Sequence, residues 1–565
     1  MSEETKLSAV EGIKAVSNYL RGTIASELQA DTDHFGKDDL QLLKFHGTYQ
    51  QDDREQRASK EGGKSSKAYS FMIRTRIPSG ILTADQFIAH LDMCDEIGNA
   101  TMKLTTRQAI QLHGVVKSNL RKCIHRINEI ALSTLAACGD VNRNVMCCPA
   151  PFAKGPHKTI QQFAYDLAMH LAPRTKSYYE LWVADPDTCQ QELAGGSDEI
   201  IEPIYGKVYL PRKFKAGVCL PEDNCIDVYT QDLGFIAVVR EGQVIGYNVV
   251  VGGGMGTTPS AAKTFPALAK RMAFVTPDQA LGVAEAVVKV QRDNGNREDR
   301  KIARLKYLIA NKGIEWFRSE VEKYFGTKLA DCTHDDVHGH DDHIGWYEQG
   351  DGKWFYGFNV ENGRLFDDQH RRWKAAFREI CSELNPGLRL TAHQSCIITD
   401  IAPQDRSKLE AIIKKHALPL SEEISTVRRW SIACVALPTC GLAITESERV
   451  LPSLMDEMEK ELDSLGLDKE WFTVRMTGCP NGCARPYNAE IGLVGKAKGK
   501  YTLFVGGSRL GTRLAFIHKD MVPLDAVVST LKPLFVAFKA HRSGEESFGD
   551  FCARVGNEQL LAWAS

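Results

Sequence analysis

SFMIRTRIPSGILTADQF, residues 70–87, and WFYGFNVENGRLFDDQH, residues 354–370, follow one pattern. In each, an alternating strand runs into a glycine turn and a helical stretch follows. A second strand comes next, TMKLTTRQAIQLHGV (101–115) in one copy and LRLTAHQSCIITDI (388–401) in the other. Both carry T-x-x-Q, at Thr105/Gln108 and Thr391/Gln394. The likeness continues: VNRNVMCCPAP (141–151) matches WSIACVALPTC (430–440), and YNVVVGGGMGTT (247–258) is echoed by YTLFVGGSRLGTR (501–513). The order is therefore half-module, larger module, half-module, larger module. This predicts an α+β chain of two pseudo-symmetric halves, with any site on the pseudo-two-fold axis drawing residues from both.

The boundaries read from this order are an N-terminal extension at 1–65, a first half-module at 66–140 and a larger α/β module at 141–330. A linker with the second half-module follows at 331–420, then the second larger module at 421–565. The stretch DDREQRASKEGGKSSK (52–67) reads as a flexible surface connection. Residues 331–343 hold His334, His338, His340 and His343 among aspartates. They read as a solvated linker, since irregular polar segments between modules need no ligand.

Composition excludes several classes. With 565 residues, 43% hydrophobic content and a formal net charge of −2, the chain can bury large cores but has no global field for nucleic acid or anionic membrane. The N-terminus MSEETKLSAVEGIKAVSNYL lacks an export pattern, and no apolar run is long enough to span a bilayer, so a cytoplasmic protein is expected. Sixteen cysteines in a reducing compartment are not a disulfide framework. Cys94, Cys123, Cys138, Cys332 and Cys552 read as small buried hydrophobes, and Cys147, beside Cys148, receives no role.

Four cysteines stand apart. Cys434 and Cys440 form C-x5-C, and Cys479 and Cys483 form C-x3-C within TGCPNGCARP (477–486). Four thiolates from two loops suit a tetrahedral metal or an iron–sulfur cubane, and unliganded core cysteines are the third reading. The spacings are wider than the C-x2-C of zinc knuckles, which favours the cluster. Gly478, Pro480, Asn481 and Gly482 leave bare, kinked backbone whose amides can point at sulfur.

C-x5-C followed by T-G-C-P-N-G-C resembles the signature of the sirohaem-containing sulfite and nitrite reductases. The likeness extends over nearly the whole chain, through SNYLRGTIA (17–25), FHGTYQQDDR (45–54), NRNVMC (142–147), YLPRKFK (209–215), VGGGMG (251–256) and SFGDF (547–551). The resemblance implies ferredoxin-like half-modules beside larger sirohaem and Fe–S modules. It implies one [4Fe–4S] cluster on Cys434, Cys440, Cys479 and Cys483, with Cys483 also the axial ligand of sirohaem. It further implies six-electron reduction of sulfite to sulfide for cysteine biosynthesis. No flavin or pyridine-nucleotide fingerprint is present, so electrons come from a partner. The resemblance points to a flavoprotein subunit using NADPH, with ferredoxin the alternative donor.

By the same resemblance, Arg76, Arg143, Lys213 and Lys215 contact the substrate anion, while Arg107, Gln111, His113 and Arg212 lie toward the macrocycle. Lysines among arginines have lowered pKa values, which makes Lys213 and Lys215 the expected proton donors. The turns GGGM (252–255) and VGGSRLG (505–511) read as close approaches to the macrocycle, with Arg509 and Arg513 as carboxylate partners. His393 stands where the first copy has Arg107, so only the first half is expected to work as a haem platform. Two lysines in K-F-K (213–215) favour dianionic sulfite over nitrite, the competing substrate. A zinc-stabilised binding protein is the reading from another class, and the chain shows no nucleic-acid motif to support it.

Overall fold

The two repeat copies turn at the same places by the same means. In the first, Ser79 and Gly80 adopt φ of 56° and 71°; in the second, Asn362 and Gly363 adopt 52° and 70°. The T-x-x-Q glutamines match as well, with Gln108 at φ 49° and Gln394 at 62°. In both copies the threonine hydroxyl closes the turn: Thr105 Oγ1 accepts from Arg107 N and Ala109 N, and Thr391 Oγ1 from His393 N and Ser395 N. This computed structural model describes residues 6–57, 66–174, 181–186, 188, 190–195 and 202–564. Much of the expected surface connection at 52–67 lies outside the described residues.

Each half-module is a five-stranded antiparallel sheet completed by the other copy. In the first sheet, strands Thr48–Asp52, Tyr69–Thr75, Ile110–Val115 and Met102–Leu104 are followed by Arg364–Leu365 from the second copy. In the second, Gly345–Glu348, Trp354–Phe358, Cys396–Ile401 and Gly387–Leu390 are followed by Ile81–Thr83 from the first. The exchange is reciprocal, and one apolar core runs through both sheets. Helix Ala84–Glu96 is capped by Thr83 and Gln86 and packs on helix Trp373–Leu384, the Phe87 and Phe377 rings lying 5.1 Å apart. Burying such rings contributes about 1.5–3 kcal/mol each, so the halves do not separate cheaply.

The two larger modules share one topology. In the first, Met146–Cys147, Ala216–Cys219 and Leu233–Arg240 run parallel, followed by antiparallel Gln243–Val251 and Lys270–Val275. In the second, Ser431–Ala433, Val474–Thr477 and Ile491–Ala497 are parallel, and Lys500–Val505 and Phe516–Pro523 antiparallel. Helices Pro277–Asn294 and Ile314–Phe325 cover the first sheet, and Leu451–Ser464 and Val527–His541 the second. Parallel strands place their carboxyl ends side by side, where ligand sites form in open α/β sheets.

The segment expected as an N-terminal extension is built into the body. Strand Thr48–Asp52 is the edge of the first sheet, so that sheet begins before residue 65. Helix Ala9–Val16 lies on the first larger module, with Lys14 Nζ donating to Leu210 O at 2.8 Å and pairing with Glu11 at 2.5 Å.

The expected solvated linker is only partly so. His334 and His338 are exposed, but His343 is buried against Asp223 at 2.8 Å. His340 stacks on His393 with ring centroids 5.1 Å apart. The physical reason is placement: the linker threads the groove between modules, and His340 and His343 meet a ring and a carboxylate there rather than water.

Candidate active site

The four cysteines come together from two loops at the carboxyl ends of adjacent parallel strands. Cys434 follows Ser431–Ala433, and Cys479 and Cys483 follow Val474–Thr477. Gly478 N points at Cys434 Sγ, 3.3 Å away, and Asn481 Nδ2 at Cys479 Sγ, also 3.3 Å. Only glycine fits at 478, since an added Cβ would meet Thr445 O at 2.4 Å and Ala436 Cβ at 2.6 Å. Burial, then the neighbouring thiols, raises the pKa of Cys434 and Cys440 and pushes Cys479 up to about 11. Four mutually interacting sulfurs with amides aimed at two of them fit a thiolate-held cluster.

A cleft opens beside this quartet. Cys479 is buried, Cys434 and Cys440 are half-buried, and Cys483 alone among the four is exposed, on the cleft wall. Facing it are Arg107, Lys213, Lys215, Arg304 and Arg485, with Met255 and Gly256 from the VGGGMG turn. That turn does make a close approach, but to protein: Thr257 N donates to Pro480 O at 2.9 Å, and a Cβ on Gly256 would sit 2.9 Å from Asn481 O. Lys306 Nζ steadies it by donating to Gly254 O and Gly256 O at 2.9 and 2.8 Å.

The cleft is strongly cationic. Arg304 is paired to Asp232 at 2.6 Å and Arg485 to Asp227 at 2.5 Å. The side chains of Lys213 and Lys215 form no hydrogen bond or ion pair among the described residues. Burial, then nearby cations, holds both well below the usual lysine range; these are Arg212 and Arg143 for Lys213, and Arg107 and Lys213 for Lys215. Burial and then Arg143 bring Arg107 down to about 9, and its Nε and Nη1 have no partner. So many cations with few carboxylates are costly unless an anion fills the space. This fits a polycarboxylate macrocycle with an anionic substrate.

The remaining expected residues divide. Arg143 lies behind the cleft, donating to Gly139 O at 3.2 Å, and Arg212 is 4.0 Å from Asp140. Gln111 and His113 share strand Ile110–Val115; His113 Nδ1 is 3.3 Å from Gln51 Oε1, and burial keeps the ring neutral.

Arg76 is a correction. Its guanidinium turns to Ala168 O at 3.2 Å and Met169 Sδ at 3.6 Å, because the chain has left the strand by then. Arg74, two residues earlier and still on the strand, is the arginine that lies beside Gln111 and Arg143. It is in register with Gln111, meets Cys138 Sγ at 2.9 Å, and shares Tyr49 as a neighbour with Arg143. Arg509 and Arg513 are a second correction. Arg509 pairs with Glu490 at 3.3 Å, and Arg513 with Asp550 at 2.6 Å and Gly506 O at 2.8 Å, all within their own module and away from the cleft.

Sequence reasoning also missed residues. Arg54 reaches from the FHGTYQQDDR stretch to Cys440 O (3.2 Å), Gly441 O (3.1 Å) and Ala443 O (2.9 Å), clamping the first cysteine loop. Arg304 and Arg485 were unmarked by spacing. Arg485 adjoins the TGCPNGC signature, which was the available signal.

Two duplicated halves joined over a cationic cleft and a thiol quartet define an oxidoreductase of the metal-cofactor class. The chain belongs to the nitrite and sulphite reductase family. The family pattern described as "Nitrite and sulphite reductase 4Fe-4S domain" matches residues 138–329. "Nitrite/Sulfite reductase ferredoxin-like half domain" matches residues 64–130 and 347–416. The chain is 45% identical over 559 residues to the sulfite reductase [NADPH] hemoprotein beta-component of Myxococcus xanthus, covering 99% of this chain and 98% of that one. The like-named protein of Staphylococcus saprophyticus is 44% identical, with coverages of 98% and 96%. Among solved structures, Mycobacterium tuberculosis NirA superposes with a TM-score of 0.79 at 24% identity, over 99% of this chain and 98% of that one, which establishes the shared fold. No helix among the described residues is long and apolar enough to cross a membrane.

Proposed function

We propose that this chain is the haemoprotein component of an NADPH-dependent sulfite reductase, reducing sulfite to sulfide with six electrons. The observation that carries the reading is that Cys483 is the one exposed thiol of the quartet and shares a cleft with Lys213, Lys215 and Arg107. The names of the relatives, each a sulfite reductase [NADPH] hemoprotein beta-component, support it. Cys434, Cys440, Cys479 and Cys483 would hold a [4Fe–4S] cluster, and Cys483 would also ligate the sirohaem iron. The coupled centre, when bound, supplies the electrons.

The chain supplies charge and protons. Arg107, Arg304 and Arg485 set a positive field in the cleft, and Arg74 and Arg143 extend it behind. A sulfite oxygen leaves as water only after protonation, and Lys213 and Lys215 stand where they can donate. Their surroundings already favour the neutral amine, so giving up a proton costs each lysine little. A bound dianion offsets that preference and holds both groups as ammonium, so the pair favours sulfite over a monoanion. The electron donor is a flavoprotein subunit, a reading supported by the beta-component names and by the lack of a flavin or nucleotide fingerprint in the sequence. A reducing, cytoplasmic setting agrees with the free thiols.

The test is kcat/KM for sulfite and for nitrite, measured anaerobically with one artificial low-potential donor. Preference for sulfite with sulfide as product is expected. A clear preference for nitrite would overturn the two-lysine reading.

A further inference from the structure

Cys148, Asp223, Cys225 and His343 bring four ligand atoms within 4.8 Å of one another, and all four residues are buried. None belongs to the cysteine quartet, yet their position follows from the duplication. Gln108 clamps Cys147 and Cys148 comes next; Gln394 clamps Ala433 and Cys434 comes next. Cys147 faces Val218 across its parallel ladder, as Ala433 faces Met476. Cys225 lies seven residues beyond Val218, and Cys483 seven beyond Met476. Two of the quartet's positions therefore recur as thiols at the same strand ends of the first half. Asp223 joins them from the same loop, and His343 from the connector between halves.

We propose that these four residues form a closed structural site for one zinc ion, the first half's counterpart of the cluster site. A cubane needs a ligand at each of four irons and is usually held by four thiolates, whereas two thiolates, an imidazole and a carboxylate are a zinc donor set. Ligand atoms of tetrahedral zinc stand roughly 3.3–3.8 Å apart, by the geometry of its bond lengths. Here Cys148 Sγ is 3.5 Å from His343 Nε2, and Asp223 Oδ2 is 2.7 Å from Cys148 Sγ and 2.8 Å from His343 Nε2. Protons hold the shorter pairs, and an ion replacing them requires outward movement of under about 1 Å.

The surroundings are arranged for a metal. Asp223 Oδ1 is occupied by Cys225 N at 3.0 Å and Asp341 N at 3.4 Å, which leaves Oδ2 turned to the centre. His343 Nδ1 is buried without a hydrogen bond, and Asp341 Oδ2, 3.7 Å away, need close by only about 0.5 Å to accept its N–H while Nε2 binds a metal. Two thiolates and a carboxylate around a dication leave one negative charge, and Arg389 lies close enough to Cys147 and Cys148 to offset it. Arg389 Nη1 also donates to Gln161 Oε1 at 3.0 Å, and Gln161 Nε2 to Cys148 O at 3.0 Å. The bland alternative is a proton-bonded cluster with no ion, held by the Asp223 pairs to His343 and Cys148 alone. Zinc here would pin two strand ends of the first larger module to the entry of the second half-module.

The test is zinc and iron per chain in the purified holoenzyme by plasma mass spectrometry, with zinc-edge X-ray absorption on the same sample. About one zinc per chain is expected, with two sulfurs near 2.3 Å and two nitrogen or oxygen ligands near 2.0–2.2 Å. His343→Gln and Cys225→Ser should each lower zinc roughly tenfold or more while iron per chain stays unchanged. Absence of zinc from the unaltered protein, even after incubation with zinc chloride, would overturn the proposal. So would an all-sulfur shell, which would place the ion in the Cys434 quartet, or a Cys148–Cys225 disulfide in the unreduced peptide map. The unaltered protein decides the matter even if a variant fails to fold.

Discussion

The side-chain amide of Gln394 brackets the peptide of Ala433: Oε1 accepts from Ala433 N at 3.1 Å and Nε2 donates to Ala433 O at 2.8 Å. Gln108 does the same to Cys147, at 2.9 and 2.8 Å. Each half-module thus fixes the first strand of the larger module that follows, in the second half one residue before Cys434 of the cysteine quartet.

Gln394→Met removes both bonds and strands a buried N–H and C=O. We expect a loss of about 2–4 kcal/mol in that module, read as an earlier thermal transition, together with reduced iron per chain. Gln108→Met should destabilise comparably and leave iron in place. Equal iron loss in the two variants would show that the clamp does not act locally on the cluster loop.

The lysines make stability pH-dependent. Lys213 and Lys215 titrate well below 10.5 in the folded protein because burial and nearby cations disfavour charge. Between the folded and unfolded pKa the unfolded chain binds more protons, so stability rises with pH across that window and falls as pH drops through it. Each lysine contributes up to about 1.4 kcal/mol per pH unit there. Thermal scans without bound anion should show this rise, and the Lys213→Met/Lys215→Met double variant should flatten it. An unchanged slope in the variant would locate the effect elsewhere.

Arg74 and Arg76 can be told apart kinetically. Arg74→Met takes a cation from beside Arg143 and should lower kcat/KM for sulfite by about 1–3 kcal/mol of binding, or roughly 5- to 150-fold. Arg76→Met loses contacts only to Ala168 O and Met169, so its cost should appear in thermal stability with kcat/KM nearly unchanged. The reverse pattern would restore Arg76 to the site.

Arg54 is a clamp on the Cys440 loop through three carbonyls. Arg54→Met should leave the fold intact and speed loss of iron in air several-fold, followed by the fading of cluster absorbance. Loss at the unaltered rate would mean that the loop holds itself.

What the sequence alone determined were features written in short-range pattern. Strand alternation, glycine turns and T-x-x-Q recur within each copy, so the duplication and the α+β class were legible, as was the quartet from its C-x5-C and C-x3-C spacing. Tertiary structure decided the rest. The exchange of Ile81–Thr83 and Arg364–Leu365 depends on pairing between copies far apart in the chain, which no local window encodes. Arg74 and Arg76 lie on one face of an extended chain, so only the register to Gln111 and the end of the strand separate them. Arg509 and Arg513 carry the right charge, but Glu490 and Asp550 compete for them first. His343 resembled a linker histidine until the fold set it against Asp223, because burial and partnership belong to the packed molecule rather than to the residue.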